Sequence, residues 1–375
     1  MTVHRLIGSP LAAIIFLVTA GTVSAQTQKE LLDELDRTIE EAESYVSAKE
    51  LRIKTIENTL HSRGVSPERQ YRIYGELFDE YQPFNYGKAV ETLDKQMEIA
   101  MLLGDKSKLN DVYLKEAMLN TAAGEFLEAR NDLARVDTTI FTKEQEIAYC
   151  NVQQRFWFDY DENLKGADKS MLRKVAYYRE RLLALADPSS SLSRYVTVRK
   201  YIDEKYFAQA DFINRHSLSR MDPASHDYAN LAYFQARICE SLNRREEMKN
   251  WFIRSAMADI KTATKDNASL FSLADALFKD GDYARAFKYS SFSLEDAIAF
   301  DAKLRQWQIS AILPAVQKSY TDIQQTHQKK TSNMLVAMYV LVFLLLGGSF
   351  ALFRLYRRQI EYSRRISEMN KEIKQ

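Results

Sequence analysis

Two stretches decide the fold: residues 124–129, Gly-Glu-Phe-Leu-Glu-Ala, and residues 281–286, Gly-Asp-Tyr-Ala-Arg-Ala. Each has a glycine, an acidic residue and an aromatic residue in succession, with an alanine three positions after the aromatic. Glycine ends a helix by adopting a left-handed backbone conformation, and the aromatic residue then begins the next helix. The small alanine lets the two helices approach closely. The pattern therefore predicts a helix–turn–helix unit.

The aromatic–alanine pair recurs along the chain with a period of about forty residues. Spacings of 40, 81 and 76 separate the four copies, which corresponds to one, two and two units. The missing units should fall near residues 166 and 245, where Gly166 and the segment 243–248 supply turns. Such a period is typical of repeat architectures, and it predicts an all-α solenoid over residues 26–313. A non-repetitive helical bundle is the alternative. The four pairs are Tyr86/Ala89, Phe126/Ala129, Phe207/Ala210 and Tyr283/Ala286.

The repeat resembles the tetratricopeptide repeat (TPR). Residues 267–297 match best, and residues 84–104 and 109–136 match more loosely. The sequence departs from the family in its period, which is about 40 rather than 34 residues, and in lacking proline at most unit ends. In the best match, the family's packing positions hold Leu270, Ala274, Leu277, Gly281, Tyr283 and Ala286.

An uncharged apolar run, residues 334–353, predicts one transmembrane helix, because about twenty apolar residues span the hydrocarbon core of a bilayer. Six Lys or Arg residues lie in 354–373 and three in 314–333. The positive-inside rule therefore places the tail, 354–375, in the cytoplasm. The repeats would lie in the periplasm, anchored to a bacterial inner membrane by a single pass.

Residues 1–25 have the form of a signal peptide. A weakly basic start containing Arg5 precedes an apolar stretch, residues 11–18, and small residues end at Ala25. An uncleaved membrane anchor is the alternative reading of this segment.

The sequence of the cytoplasmic tail predicts a short coiled coil. Pro314 can begin a juxtamembrane helix, 314–333, that continues through the membrane, although residues 326–333 could interrupt it. Beyond the span, residues at alternating three- and four-residue steps form a heptad seam, which predicts a parallel homodimer. The alternative is a monomeric basic helix lying on anionic lipid. The seam comprises Leu352, Leu355, Gln359, Tyr362, Ile366, Met369 and Ile373.

The region from about residue 255 to the end resembles a family of Bacteroidetes proteins of unknown function. Its order of parts and the Ser-Leu-Glu-Asp-Ala stretch at 293–297 carry the resemblance. Those proteins join a signal peptide, exported TPR-like helices, one membrane helix and a coiled coil to a regulatory output domain. The resemblance implies signalling to transcriptional regulation. The sequence stops at Gln375, soon after the heptads begin. A gene that continues into an output domain would favour signalling, and a natural stop would favour a scaffold or an output domain on a partner.

Charge and chemistry exclude several classes of function. The overall charge of +1 includes +4 in residues 354–375 and +1 in 1–25, which leaves −4 for 26–353. An acidic exported domain is a poor nucleic-acid binder. The histidines are scattered and indicate no metal site; His216 and His226 bracket a loop and are expected to be solvated turn residues. Without a nucleophile–base pair or a phosphate loop, we expect no enzyme and no cofactor. Cys150 and Cys239 are predicted to be buried thiols rather than a disulfide.

The concave wall of a solenoid is the expected binding surface for a protein or peptide partner. Aligning the units places five candidate residues on this wall. Aromatic side chains and arginine suit a peptide or carboxylate. The alternative for each residue is that its side chain only packs against a neighbouring repeat and binds no ligand. Residues 156–158, Phe-Trp-Phe, are expected in the core. We therefore predict a periplasmic sensor, and the alternative is a structural scaffold for envelope assembly. The candidates are Tyr195, Arg199, Phe271, Asp275 and Phe278.

Overall fold

The computed structural model describes residues 27–60, 62, 64–164, 169–265, 268–300 and 303–372. The predicted signal peptide, Gly166 and Ile373 lie outside the described residues. Every regular element in the described ranges is helical, which confirms the all-α prediction. A 3-10 helix, Thr138–Ile140, lies between α6 and α7. The α-helices are α1 (Gln28–Glu40), α2 (Ala42–Leu60), α3 (Pro67–Tyr81), α4 (Tyr86–Leu103), α5 (Lys106–Ala123), α6 (Phe126–Arg135), α7 (Lys143–Leu164), α8 (Lys169–Leu185), α9 (Ser191–Asp203), α10 (Phe207–Leu218), α11 (His226–Ser241), α12 (Arg245–Lys261), α13 (Ser269–Asp280), α14 (Tyr283–Phe300) and α15 (Lys303–Glu372).

Helices α3 to α14 form six consecutive pairs, in which each helix contacts its partner along the chain. Successive pairs also contact each other, for example α4 with α5, α10 with α11 and α12 with α13. The first helices of neighbouring pairs lie side by side, as α5 does with α7 and α9 with α11. This stacking of helix pairs is the architecture of a solenoid.

The predicted register of the repeat is confirmed. In all four aromatic–alanine pairs, the aromatic residue is the first residue of a helix, namely α4, α6, α10 or α14. The alanine of each pair is fully buried, with 0% of its surface exposed. The small alanine side chain lets the paired helices pack closely. A larger side chain at the same position would have to displace a neighbour.

The turns within the pairs use the predicted left-handed conformation. Gly124 has a φ of 84° and Gly281 a φ of 87°. After Gly124, the Glu125 N–H donates to the Asn120 carbonyl at 2.8 Å, which closes the end of α5. Of the predicted turn at residues 243–248, residues 243 and 244 form the turn and 245–248 begin α12; the turn uses Asn243, with a φ of 57°, in place of glycine. Asparagine tolerates this conformation better than most side chains, so the unit turns without a glycine.

Helix α1 packs against the far end of the chain. Leu31 and Leu35 are 0% exposed and lie in one apolar cluster with residues of α11, α12, α13, α14 and α15. The carboxylate of Asp36 in α1 pairs with Arg285 at 3.0 Å and Lys288 at 2.9 Å, both in α14. Helix α2 continues from α1 to α3, so the two helices connect the last repeats to the first.

Helix α15 begins at Lys303, which corrects the predicted start of the juxtamembrane helix at Pro314. Proline inside a helix costs about 3 kcal/mol. Ile309 and Val316, on either side of it, are 0% and 2% exposed. Burying each such side chain contributes about 1.5–3 kcal/mol, which offsets the proline. The helix also continues without a break through residues 326–333.

Within the described part, α15 is the helix long and apolar enough to cross a membrane. Its most apolar window has a mean hydropathy of 2.4, and none of that window is buried. The fold is therefore a TPR-like solenoid followed by a candidate membrane-spanning helix.

The two cysteines are free and buried, as predicted. Cys150 is 1% exposed and Cys239 0% exposed. Burial raises the pKa of each thiol to about 11, so neither is a reactive thiolate near neutral pH.

Candidate functional site

A cavity of about 670 Å³ lies on the inner face of the solenoid. Its lining comes from the first helix of five successive pairs, α3, α5, α7, α9 and α11, and from α2 and the ends of α12 and α14. Each first helix contributes one or a few side chains, because the stacked units turn the same helix face inward. The lining includes Lys49, Glu76, Asp79, Glu80, Pro83, Leu119, Arg155, Tyr195, His226, Asn230, Thr264 and Phe300.

A second chamber of about 360 Å³ adjoins the cavity. Arg155, Tyr195 and Asn230 line both spaces. Each of the two volumes lies within the range of pockets that hold a small molecule. The aromatic side chains of the second chamber are Phe158, Tyr195, Tyr233 and Phe234.

Two of the predicted site residues, Tyr195 and Arg199, lie one turn apart on α9 and face this space. The Tyr195 ring packs on Phe234 at 5.0 Å between centroids. The Arg199 guanidinium lies 3.9 Å from the Phe158 ring and 5.6 Å from the Phe234 ring. Within the described residues, Arg199 has no hydrogen bond and no ion pair shorter than 4.0 Å. Its N–H donors are therefore available to a ligand.

The three predicted residues on α13 are engaged in packing or pairing. Phe271 belongs to an apolar cluster with Phe300. Asp275 pairs with Lys279 at 2.6 Å. Phe278 packs edge-to-face on the ring of Tyr283 at 5.4 Å. The structure does not bring these side chains together with Tyr195 and Arg199.

Carboxylates dominate the α3 side of the cavity. Glu76, Asp79 and Glu80 line it there, and Lys49 of α2 pairs with Glu80 at 3.3 Å. Burial raises the pKa of Asp79 and lowers the pKa of Lys49, because both charges lie partly out of water. This part of the cavity therefore favours cationic or hydrogen-bond-donating groups.

Guanidinium groups of α7 and α9 line the second chamber, and the one from α7, Arg155, also lines the cavity. Arg155 pairs with Asp159 at 3.0 Å. Burial alone would lower the pKa of Arg199, but the nearby Tyr195, Asp203 and Asp159 outweigh burial and leave the pKa raised. Arg199 is thus held as a cation beside aromatic faces, which suits recognition of a carboxylate.

Within residues 156–158, Phe156 lies in the core and Phe158 lines the second chamber. Phe156 is 3% exposed and packs with Phe126, as predicted for the core. Phe158 lines the second chamber instead. Sequence reasoning also missed Arg155 and Asn230. The repeat pattern is weakest around α7, so no register was available to place Arg155 on the inner face.

His216 and His226 lie on either side of the loop 219–225, as predicted, but both belong to helices. His216 lies in α10, and His226 is the first residue of α11 and lines the cavity. Its Nδ1 lies 3.4 Å from Thr264 Oγ1. Across the described ranges, no group of three or more His, Cys, Asp or Glu is placed to hold a metal ion.

The sequence profile described as the SusR N-terminal TPR domain matches residues 39–311, well over half of the chain. The chain belongs to the SusR N-terminal TPR domain family. The matched region of this TPR domain begins at the end of α1 and includes the six helix pairs, the cavity and the start of α15. TPR domains are protein-interaction modules, so the family supports a binding or scaffolding role.

Among solved structures, the TPR domain is similar to the "TPR2AB-domain:pHSP90-complex of yeast Sti1", with 15% sequence identity and a TM-score of 0.30. The similarity covers 76% of this chain and 99% of that chain. No curated protein matches the sequence.

Proposed function

We propose that this chain is a membrane-anchored periplasmic sensor. It binds a peptide, protein segment or other envelope ligand in the cavity and relays binding across the inner membrane through α15. The observation that carries the proposal is the Arg199 guanidinium. It lies beside two aromatic rings, with its donors free, in the second chamber, which successive repeats line.

A peptide carrying a carboxylate fits this arrangement best. Arginine binds carboxylates through two parallel hydrogen bonds, and such charge-assisted bonds are about twice as strong as neutral ones. The aromatic lining would contact apolar side chains of the ligand. The acidic α3 wall would attract a cationic group elsewhere on the same ligand, so one peptide can satisfy both regions.

The relay follows from the continuity of α15. The helix packs on α14, where the rings of Phe287 and Tyr320 stack at 5.0 Å. It then passes through the apolar run and the arginine-rich tail without interruption. The signal peptide, the periplasmic orientation, the cytoplasmic tail with its paired heptads and the regulatory output are parts of this proposal.

Photo-crosslinking in the native cells tests ligand binding. We expect p-benzoylphenylalanine in place of Tyr195 to give a discrete adduct, because this side chain lines both chambers. The same replacement at Tyr177 is the matched control, since Tyr177 is 57% exposed and outside the lining of both chambers. Adducts are read on denaturing gels and by mass spectrometry.

The Tyr195 adduct should disappear when Arg199→Ala is added, while the fold remains intact by circular dichroism. Identical adducts from positions 195 and 177 would contradict a specific site. An adduct that is unaffected by Arg199→Ala would remove Arg199 from recognition and favour the scaffold alternative.

A further inference from the structure

The first and last repeats of the solenoid touch each other. The Lys265 N–H donates to the Pro83 carbonyl at 2.8 Å, across 182 positions of the chain. The rings of Tyr86 and Phe300 pack edge-to-face, with centroids 6.4 Å apart. We call these four residues the ring-closing contact. The structure shows the solenoid closed at this contact, and loss of the contact would leave it open.

Lys265 is fixed in place by a second interaction. Its Nζ pairs with the carboxylate of Asp296 in α14 at 2.5 Å, and Asp296 is 5% exposed. The backbone of Lys265 therefore holds the α3–α4 turn while its side chain is anchored to the last repeat. The contact joins the α3–α4 turn to the α12–α13 connection, which Asp296 ties to the last repeat.

The ring-closing contact also borders the cavity. Pro83 and Phe300 both contribute to the cavity lining. A ligand that fills the cavity therefore reaches residues on both sides of the contact. It favours whichever arrangement, closed or open, offers it more contacts, and it can shift the equilibrium by no more than that difference in affinity.

The same contact reaches the membrane helix. Ile309 of α15 is 0% exposed and packs in one apolar cluster with Tyr86 and Phe300. Ile309 lies near the start of α15, and the apolar run follows in the same unbroken helix. Separation of Tyr86 from Phe300 would remove part of the packing that holds the first turns of α15.

We propose that the ring-closing contact is the switch that passes occupancy of the cavity to α15. This inference rests on the proposed sensor function and specifies its regulation. Ligand binding changes the balance between the closed and open arrangements, and Ile309 converts that change into a shift of α15 against the last repeat. Packed interfaces transmit such changes because they switch between discrete arrangements.

Hydrogen exchange of the full-length, ligand-free protein in lipid nanodiscs tests the coupling. Tyr86→Ala removes the ring that packs on Phe300, and we expect exchange in residues 303–313 to become about tenfold faster, equal to about 1.4 kcal/mol. Tyr86→Phe keeps the ring and should exchange like the wild type. Residues 169–185 of α8, which packs on α7 and α9 and away from the contact, should not change in either variant.

A reversible lock supplies the second measurement. The Pro83→Cys, Lys265→Cys pair joins two residues whose backbones share a hydrogen bond of 2.8 Å, which keeps them side by side as a disulfide requires. Oxidation should slow exchange in 303–313, and reduction should restore it. The buried Cys150 and Cys239 report unfolding, since they stay unlabelled by maleimide while the domain is intact.

Equal exchange in 303–313 for the locked and reduced protein, or for Tyr86→Ala and Tyr86→Phe, would overturn the switch. So would an acceleration that spreads evenly through all repeats, because that result indicates general destabilisation. These measurements need no ligand. Failure of the Tyr195 crosslink would instead reject the binding site, whatever the state of the contact.

Discussion

At the scale of single residues, Glu116 and Asp132 place two carboxyl groups inside the second helix pair beside one arginine. Arg135 lies 3.6 Å from Glu116 and 3.5 Å from Asp132. Glu116 Oε2 has no hydrogen-bond partner. Burial, and then the charge of Asp132, raises the pKa of Glu116 to about 7.

This shift predicts a pH dependence of stability. The unfolded chain loses the Glu116 proton near pH 4.3, and the folded chain loses it near pH 7. The folded state therefore binds more protons between these values, so its stability should fall as pH rises from about 4.5 to 7 and then level off. Glu116→Gln, which carries no charge, should be more stable than wild type at pH 8 by about 1–2 kcal/mol.

Urea unfolding at pH 5, 6, 7 and 8 measures this difference. Glu128→Gln is the control, since Glu128 lies on the exposed side of α6 and should leave the profile unchanged. If the profiles of wild type and Glu116→Gln ran parallel across this range, Glu116 would not titrate as described.

At the scale of elements, four of the six helix pairs bury an alanine completely in the first turn of their second helix. Replacing Ala286 or Ala129 with leucine should destabilise the domain by about 1–3 kcal/mol, because the added methylenes enter a filled helix–helix contact. The same replacement at Lys279, which is exposed on α13, should be close to neutral. Chemical denaturation of the three variants makes the comparison, and equal losses at all three positions would argue against the assigned contacts.

The starts of the helices were predictable wherever an aromatic–alanine pair marks them, because that pair is a local pattern. Asn243 could be placed in a turn for the same reason. The turns at Lys205 and Ala263 could not be predicted. Both residues have a positive φ, 63° and 52°, but lysine and alanine are not residue types that mark turns. The start of α15 was misplaced because proline is a local signal against helix, whereas the packing of Ile309 and Val316 is tertiary.

At the scale of the whole molecule, the cavity was predicted only in part. Tyr195 and Arg199 follow from the repeat register, which places them on the inner wall. The closure of the solenoid does not follow from any local pattern, because the Lys265–Pro83 bond and the docking of α1 join residues far apart in the chain. That closure places Phe271 in a cluster with Tyr86 and Phe300 instead of leaving it on an open wall.

The proposed topology predicts the behaviour of two fusions. A cytoplasm-dependent reporter after Gln375 should be active, and a periplasm-dependent reporter inserted at Ser189, in an exposed loop between α8 and α9, should also be active. The reason is the excess of arginine after the apolar run. Exchanging the two reporters between the positions is the control. Activity of the cytoplasm-dependent reporter at Ser189 would contradict the orientation.

The tail is predicted to pair with a second copy through its heptad seam. Ile366 and Met369 are 54% and 56% exposed in the single chain, so they are free to form such a contact. Single cysteines at these positions should crosslink between protomers in membranes, because seam positions face each other in a parallel coiled coil. Cysteines at Arg365 and Glu368 are the controls and should crosslink weakly. Uniform or absent crosslinking would favour a basic helix lying on lipid.

The docking of α1 on the last repeats means that α1 is synthesised and exported long before its packing partners. Under the proposed topology, α1 is the first mature segment to leave the cytoplasm, yet its partner Arg285 is synthesised 249 residues after Asp36. At about 5–20 residues per second, the delay is on the order of 10 to 50 s. During this interval Leu31, Leu32 and Leu35 have no docking surface, so a periplasmic chaperone or nascent pairing with α2 has to shield them until the last repeats emerge.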